Sequence, residues 1–467
     1  MKIYFLIIFT SLCFLDKIDA QNHFKPYSNK SKELADWNTF LDQSKSQTLA
    51  QYKDYKYKSD LKVHITERHQ ALINKIEAGH FYFDKMVDSY FHRILDEIII
   101  NNPTLQKDKI RFLISRYNWP NASYIGDGVI IVNIALVDKL THDDELAFII
   151  CHELAHYYFE HVDMSYIRSL NTLKSKETKE KIKAIKKSEY GTHSKGTSLF
   201  KGFMYDSRKH VRGHEYQADS LGLSFLMNTK YNPIAAKNVL YLLDTIDKVN
   251  IEKNINIDSI FNFDEYRFKE SWKSEPKQMF TAEPDKNDHW NSDSLKTHPD
   301  CLKRIQALKF DRFYQDNFTA DPELKLIKQN IKYELLLFES EFGDSGKCML
   351  KALELLTEQP SDFVALNMIS STFQKIIDAR KNHNANEILM NPSQSDNIEL
   401  RKMLLILNNM RSVEMANVNY YFLKNALLKF THLQKDEEFL KIINIAAEEC
   451  QKISDLELIK NNLNLKH

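Results

Sequence analysis

Glycine and proline are scarce in this chain of 467 residues, which has only ten of each. That is about 2% apiece, against average usages of roughly 7% and 5%. Sandwiches, propellers and collagen-like chains need many turn residues, so the shortage disfavours all three. The chain also has neither G-x-G-x-x-G nor G-x-x-x-x-G-K-[ST], which removes both nucleotide-binding fingerprints. We therefore expect a mainly α-helical protein.

Charge of one sign is not in excess either, since 64 basic residues meet 64 acidic ones. No overall field therefore draws the chain toward nucleic acid or an anionic membrane surface. Residues 162–210 are the local exception, with twelve basic and five acidic side chains. A solvated helical face accounts for such a run, and regularly interleaved aromatic residues are absent from it. We predict no nucleic-acid partner, and whether the basic segment gates a cleft stays open.

Long hydrophobic runs are missing after the first residues of the chain. Lys2 precedes an apolar stretch at 3–15 that is too short to span a bilayer, and Ala20 completes a cleavage-site pattern. We predict that 1–20 is a secretory signal peptide. No later stretch reaches 18 apolar residues, so we expect a mature chain without a transmembrane span, in the periplasm or secreted.

Cysteine is also rare, with five residues, of which Cys13 would be lost with the signal peptide. The wide spacing of Cys151, Cys301, Cys348 and Cys450 fits neither a disulfide scaffold nor a cysteine-ligated zinc site. We expect buried free thiols. An oxidising compartment leaves one alternative open, a bridge between Cys151 and Cys301 if their helices adjoin.

Hydrophobic periodicity predicts mostly helices with a few strands. The predicted helices lie at about 81–100, 141–161, 206–227 and 233–247, and the predicted strands at 109–114 and 129–132. Residues 21–80 are polar and expected to be helical, whereas 261–296 has the character of a long loop. After Phe310 the pattern is nearly continuous helix. The run around Pro360 is similar to a tetratricopeptide helix, but a clean period of 34 residues is missing.

One short motif carries chemistry. His152-Glu153-Leu154-Ala155-His156 contains H-E-x-x-H, and residues four apart lie on one face of a helix. His152 and His156 can therefore hold one metal ion, and Glu153 lies where it can take a proton from a bound water. An amphipathic helix with two ordinary histidines is the alternative interpretation.

A third ligand decides the class of site. The metzincin extension of this motif would need glycine at 159 and histidine at 162, but these positions hold Phe159 and Val162. His161 is five residues beyond His156, which places it about 140° around a continuous helix. We therefore expect His161 to point away from the metal in a structural role. Farther on, Glu215 and Asp219 are four apart, which fits a carboxylate ligand and an acid that orients a ligand histidine.

Three motifs in this order resemble the heat-shock protease/CAAX prenyl protease family of zinc metallopeptidases. They are H-E-x-x-H at 152–156, E-x-x-A-D at 215–219 and H-P-x-x-x-x-R at 298–304. The resemblance covers 81–310, including Pro120-Asn121-Ala122 before a glycine turn. Because membrane spans are missing, the chain is most similar to the soluble, exported branch of that family, typified by the β-barrel assembly-enhancing protease.

The resemblance implies a zincin-like metallopeptidase domain with one Zn²⁺ held by His152, His156 and Glu215. It also implies Glu153 as general base, and an edge strand at Asn121-Ala122 where an extended substrate peptide adds. Asp219 is implied to support the zinc by orienting a histidine ligand. Arg304 is implied either to fix the local helix or to pair with a carboxylate such as Asp219. His298 is implied to act in catalysis, either by stabilising an oxyanion or by occupying the open position of the zinc.

We therefore predict four segments: the signal peptide at 1–20, a helical segment at 21–80, the peptidase domain at 81–310 and a helical repeat-like domain at 311–467. The expected activity is an exported zinc metalloendopeptidase that acts on unfolded or misassembled proteins in envelope quality control. The C-terminal helices would offer a surface for a protein partner. The alternative is a helical-repeat chaperone or adaptor with a latent or structural metal site.

Overall fold

The computed structural model describes residues 30–105, 109–187, 192–246, 255–275, 301–319 and 321–464. These residues are mostly helical, with one three-stranded sheet, as the sequence predicted. They divide into two compact units. The first unit holds the described residues of 30–246 and 301–331, and the second holds 255–275 and 332–464. The predicted signal peptide at 1–20 lies outside the described residues.

The helices and strands are numbered along the chain. Up to residue 174 they are α1 (Lys30–Gln51), α2 (Lys58–Glu77), α3 (Lys85–Ile100), β1 (Arg111–Ser115), β2 (Ala122–Tyr124), β3 (Val129–Asn133), α4 (Ile134–Lys139), α5 (Asp143–Tyr158) and α6 (His161–Lys174). Up to residue 307 they are α7 (Lys176–Lys186), α8 (Thr192–Met227), α9 (Ala235–Ile246), α10 (Ile257–Ile260) and α11 (Cys301–Ala307). The remaining helices are α12 (Pro322–Phe342), α13 (Ser345–Glu358), α14 (Phe363–Lys381), α15 (Ile398–Asn409), α16 (Ser412–Lys429) and α17 (Glu437–Asn464).

Helix α3 begins four residues later than the periodicity predicted. Asp84 precedes it, and its carboxylate accepts the backbone N–H groups of Met86 and Val87 at 2.9 and 3.0 Å. A side-chain cap of this kind satisfies donors that the first helical turn leaves open. Phe81 is therefore extended rather than helical, and it forms a β-bridge with Ser115.

The sheet has the strand order β1-β3-β2, with β1 parallel and β2 antiparallel to β3. Periodicity predicted β1 and β3 within two residues but gave no sign of β2, which has only three residues. The turn between β2 and β3 needs glycine. Gly128 has a φ of 76°, and a Cβ atom there would lie 1.7 Å from the carbonyl oxygen of Lys109.

Helix α5 begins at Asp143, two residues after the start that the sequence predicted, and a capping box precedes it. The Glu145 carboxylate accepts the backbone N–H of Thr141 at 2.6 Å and that of His142 at 3.4 Å. The helix ends earlier than expected, at Tyr158, because Glu160 adopts a left-handed conformation with φ 53° and ψ 36°. His161 therefore starts a new helix, α6, and the prediction of one helix through His161 is wrong.

Helix α8 crosses α5 at close range. It begins at Thr192, fourteen residues before the predicted start, and runs without interruption to Met227. Gly222 lies at the crossing, where a Cβ atom would be 3.0 Å from both the Cα and the backbone nitrogen of His152. The lack of a side chain at Gly222 therefore allows the two helices to approach.

The second unit is built from helices around an apolar core. Helix α13 packs on α14 and α16 packs on α17, with the connection around Pro360 joining the first pair. The buried core includes Phe261, Trp272, Phe373 and Phe439. Helices α13 to α16 have 14, 19, 12 and 18 residues, so tetratricopeptide character stays a prediction.

Two further predictions concern the whole chain. None of the four cysteines that the structure describes forms a disulfide, so Cys151 and Cys301 are not bridged. Three of these thiols are buried, as expected, and Cys450 is half-buried. Among the described helices, none combines the length and the apolar character that a membrane crossing requires.

Candidate metal centre and substrate cleft

Three potential metal ligands converge where α5 and α8 cross. His152 and His156 share one face of α5, and their Nε2 atoms are 3.1 Å apart. Glu215 of α8 faces both, with carboxylate oxygens 3.6 Å from His152 Nε2 and 3.5 Å from His156 Nε2. All three offer a ligand atom within 4.8 Å of one another. This group is the arrangement that the spacing of the two motifs predicted.

The carboxylate of Asp219 joins this cluster to α11. One of its oxygens is 3.0 Å from Nδ1 of His152, the ring nitrogen that faces away from the ligand cluster. Arg304 donates two hydrogen bonds to the same carboxylate, from Nε at 2.6 Å and from Nη2 at 2.7 Å. Its Nη1 is 2.9 Å from a carboxylate oxygen of Glu215. Asp219 and Arg304 are each only 2% exposed. The guanidinium therefore holds the third ligand and the partner of the first ligand at once.

The buried charges of this cluster shift one another. Burial alone raises the pKa of Asp219, but hydrogen bonds from Arg304 and His152 lower that pKa to about 2. Burial, followed by the electrostatic effect of His152, lowers the pKa of His156 to about 2. Asp219 is therefore ionised beside His152, and His156 is neutral at neutral pH, which is the form in which an imidazole binds a metal.

Glu153 lies between the ligand pair and the sheet. It follows His152 in α5, it is 6% exposed, and burial raises the pKa of its carboxyl group. Its Oε2 accepts the backbone N–H of Tyr124, in β2, at 2.6 Å. The carboxylate that the motif marks as a base is therefore held directly against the edge strand.

The register of β2 shows which backbone groups face the cleft. Ile125 donates to Val129, and the carbonyl of Asn121 accepts from Asn133, so these pairs are the hydrogen-bonded ones. Because the pattern alternates in an antiparallel ladder, Ala122 and Tyr124 turn their N–H and C=O groups away from β3. Of the two predicted substrate-strand residues, Ala122 presents its backbone to the open edge, and Asn121 uses its carbonyl within the sheet.

A cavity of about 280 Å³ opens over these groups. One wall is polar and carries the ligand cluster, Glu153 and Arg304, and β2 forms a second wall. The rest of the lining is apolar: Leu136, Phe148, Ile149, Val239, Leu240 and Leu243. The site therefore combines a metal-binding group, a buried carboxylate and a strand edge in one concave space.

His161 is the site residue whose position the sequence did not reveal. It is outside the ligand group, as expected, but it points toward His156, with the two Nδ1 atoms 2.9 Å apart. The continuous helix on which that expectation rested is wrong, because the left-handed Glu160 ends α5 and changes the direction of the chain. Neither glycine nor asparagine marks that conformation in the sequence. His298, the other predicted catalytic residue, lies outside the described residues.

A histidine pair on one helix, joined by a glutamate from a second helix and flanked by a buried carboxylate, is the arrangement typical of His₂Glu metallopeptidases. Residues 86–311 match the model of peptidase family M48, and this part of the chain belongs to that family. The protein is accordingly a metallopeptidase. A search of curated proteins found no match to the chain.

Proposed function

We propose that this protein is a zinc metalloendopeptidase that hydrolyses peptide bonds in unfolded or misassembled proteins. One observation supports this proposal above the others: His152, His156 and Glu215 converge beside Glu153, and Glu153 contacts the edge strand. An open strand edge binds an extended chain through backbone groups, so an unfolded segment suits it better than a folded surface. Ala122 is the residue whose backbone offers such pairing.

Zinc fits the donor set better than the other common divalent ions. Two imidazole nitrogens and one carboxylate oxygen leave an open position in a tetrahedral site, which is typical of catalytic zinc. Magnesium and calcium prefer shells made of oxygen. The contact between Asp219 and Nδ1 of His152 also fits, because it leaves Nε2 of that ring as the ligand atom. We expect one zinc ion per chain.

Zinc bound at this site would polarise the scissile carbonyl and lower the pKa of a bound water. Ala122 would hold the substrate backbone in line with β2, so that the scissile bond lies over the ligand cluster. Glu153 would accept the proton of the attacking water on its carboxylate and deliver it to the leaving amine. Asp219 and Arg304 would keep His152 and Glu215 oriented throughout.

The location and the cellular role extend this proposal. The signal-peptide pattern at 1–20 supports export, and the motif pattern supports the soluble branch of the family. We place the activity in envelope protein quality control on that basis. The helical second unit would then contact a protein partner, for which exposed apolar residues such as Ile398 and Leu428 provide area.

The alternative function is a chaperone or adaptor whose metal site is latent. The apolar helical unit is the observation in its favour, and the intact Glu153 against the strand edge is the observation against it. His298 also separates the two, since a histidine that blocks the metal would favour latency. If His298→Ala leaves peptide hydrolysis unchanged across pH, a role in stabilising the oxyanion is wrong.

The experiment measures zinc content and digestion of unfolded casein by the purified full chain. Glu153→Gln should keep one zinc per chain and lower the rate by at least about 10²-fold, because the proton acceptor is lost. Glu145→Gln is a matched control, since Glu145 is an equally buried glutamate of the same helix that only caps it. Full activity of Glu153→Gln would refute the mechanism, and a zinc-loaded but inactive wild type would favour the adaptor.

A further inference from the structure

The two ligand histidines differ in what holds their second ring nitrogen. A histidine that binds a metal through Nε2 carries its proton on Nδ1, and that N–H usually donates to a carboxylate or a carbonyl. His152 follows this rule, with Asp219 at 3.0 Å. For His156, the group at Nδ1 is the Nδ1 atom of His161, at 2.9 Å. The partner of the second ligand is therefore another imidazole.

An imidazole can accept this hydrogen bond in one form only. Nδ1 of His161 must be unprotonated, so the proton of a neutral ring lies on Nε2. That Nε2 atom is 3.2 Å from the side-chain oxygen Oε1 of Gln217, which accepts it. Gln217 is two residues beyond the ligand Glu215 in α8. The two contacts together select one tautomer of His161 and one direction for the chain of hydrogen bonds.

The ring of His161 is also fixed in its plane. It is 6% exposed and lies parallel to the ring of His214, with centroids 4.0 Å apart and planes 7° apart. Phe159 stacks on it at 5.3 Å and 21°. Because the ring cannot rotate freely between these neighbours, its Nδ1 stays aimed at His156.

The turn that orients the His161 ring is stabilised by residues that precede 86–311, the segment that matches the family. Glu160 has the left-handed backbone that turns the chain between α5 and α6. Its carboxylate accepts the hydroxyl of Tyr52 at 2.7 Å and the side-chain amide of Gln51. Gln51 is the last residue of α1 and Tyr52 follows it, so both donors precede residue 86, where the family match begins. The N-terminal helix thus supports the conformation that brings His161 to the metal ligand.

We propose that His161 is a positioning residue that orients the metal ligand His156, with Gln217 setting the tautomer of His161. The metal would then be held by one histidine with a charged partner and one with a neutral partner. A neutral acceptor fixes the ring without adding a negative charge to a cluster that already contains Glu215 and Asp219. This inference rests on the proposed function, because it requires that His156 binds zinc.

The test measures the zinc dissociation constant of the full chain by competition with a chromophoric chelator. His161→Leu removes the acceptor at similar size, and we expect a dissociation constant 10 to 100 times higher. His161→Asn places an oxygen near the position of Nδ1 and should restore affinity to within about threefold of the wild type. Absorption of the cobalt-substituted protein should change with leucine and be restored with asparagine. Circular dichroism checks the fold of each variant.

Two further variants keep the result interpretable. Gln217→Leu leaves His161 in place and should weaken zinc binding less than His161→Leu does, because Gln217 is exposed and water can replace it. It provides the readout if His161→Leu does not fold. His64→Leu is the matched control, since His64 also stacks in parallel on an aromatic ring, Tyr166, at 3.6 Å. It should leave zinc affinity unchanged.

The outcomes separate this inference from the proposed function. A wild type that binds no zinc overturns both. A wild type that binds zinc and is matched by folded His161→Leu, or by Gln217→Leu where the former does not fold, overturns the role of His161 alone. An asparagine variant as weak as the leucine variant does the same, because it shows that the acceptor atom is not what counts.

Discussion

The two units of the molecule differ in what they bury. The first unit encloses connected sets of charges, of which Arg304 with Asp219 and Glu215 is one. Arg68 forms another with Asp127 and Asp163. The core of the second unit is a large, mainly apolar cluster, and the buried Glu414 of this unit pairs with Lys269, whose side chain is 43% exposed.

This difference indicates two kinds of stabilisation. A buried ion pair contributes little net free energy, since desolvation offsets the attraction, but removing one partner leaves a charge that is costly to bury. Apolar burial stabilises in proportion to area, about 25 cal/mol per Å². The buried charges of the first unit therefore fix the geometry of the site, beside apolar clusters such as the one around Trp37 and Ile76. The second unit gains its stability mainly from packing. Two substitutions test this contrast between the units, and a pair of glycine substitutions in α8 then tests the geometry of the site.

The largest effect should come from Arg304→Met, which removes the buried positive charge of the site. Asp219 and Glu215 would lose a buried guanidinium, and an unpaired buried charge costs about 3–5 kcal/mol of stability. Zinc affinity should fall by about 10- to 100-fold as well, because the acid that orients His152 becomes free to move. Urea denaturation and chelator competition measure the two effects. Arg304→Lys keeps the positive charge but cannot donate two parallel hydrogen bonds to one carboxylate. Its stability and zinc affinity should therefore lie between those of Arg304→Met and the wild type.

Arg304→Met would contradict the argument if stability and zinc affinity both stayed at wild-type values. A loss of stability with unchanged zinc affinity would show that the guanidinium supports the fold and not the ligands.

A somewhat smaller effect, confined to stability, should follow from Phe373→Ala in the second unit. Phe373 is fully buried and meets Phe261 edge-on, with ring centroids 5.6 Å apart. Removal of a buried phenylalanine side chain costs about 3–5 kcal/mol. Zinc affinity should not change. Leu428→Ala, at a residue that is 69% exposed, is the control and should stay within about 0.5 kcal/mol. A fall in zinc affinity with Phe373→Ala would contradict the argument that the second unit contributes stability without fixing the site geometry.

The metal-ligand cluster could be predicted because each of the sequence patterns that encode it spans only a few neighbouring residues. His152 with His156, and Glu215 with Asp219, are four residues apart, and a helix converts that spacing into a shared face. The glutamate contact with β2 could not be derived in this way, because three residues are too few to show a strand period. The edge strand was expected only through the resemblance around Asn121 and Ala122.

The orientation of His161 was inaccessible for a different reason. In a continuous helix that side chain would point away from His156. It points toward His156 because Glu160 adopts a left-handed backbone conformation between α5 and α6. Non-glycine residues adopt this conformation when tertiary contacts fix it, and here the contacts come from Tyr52, over a hundred residues earlier. In the second unit, likewise, helical periodicity is local, whereas partners such as Phe261 and Phe373 are distant in sequence.

The smallest effects, and the sharpest comparison, come from two glycines of the same helix. Alanine in place of glycine within a helix ordinarily stabilises by about 0.5–1 kcal/mol. Gly213→Ala should show this gain, since a Cβ atom there meets nothing within 4 Å. Gly222→Ala should reverse the sign and cost about 1–3 kcal/mol, because its Cβ atom would press on the backbone of His152. Moving α8 away from α5 also separates Glu215 from the histidines, so only Gly222→Ala should weaken zinc binding. Equal effects of the two substitutions on stability and zinc affinity would mean that the close helix crossing does not set the ligand geometry.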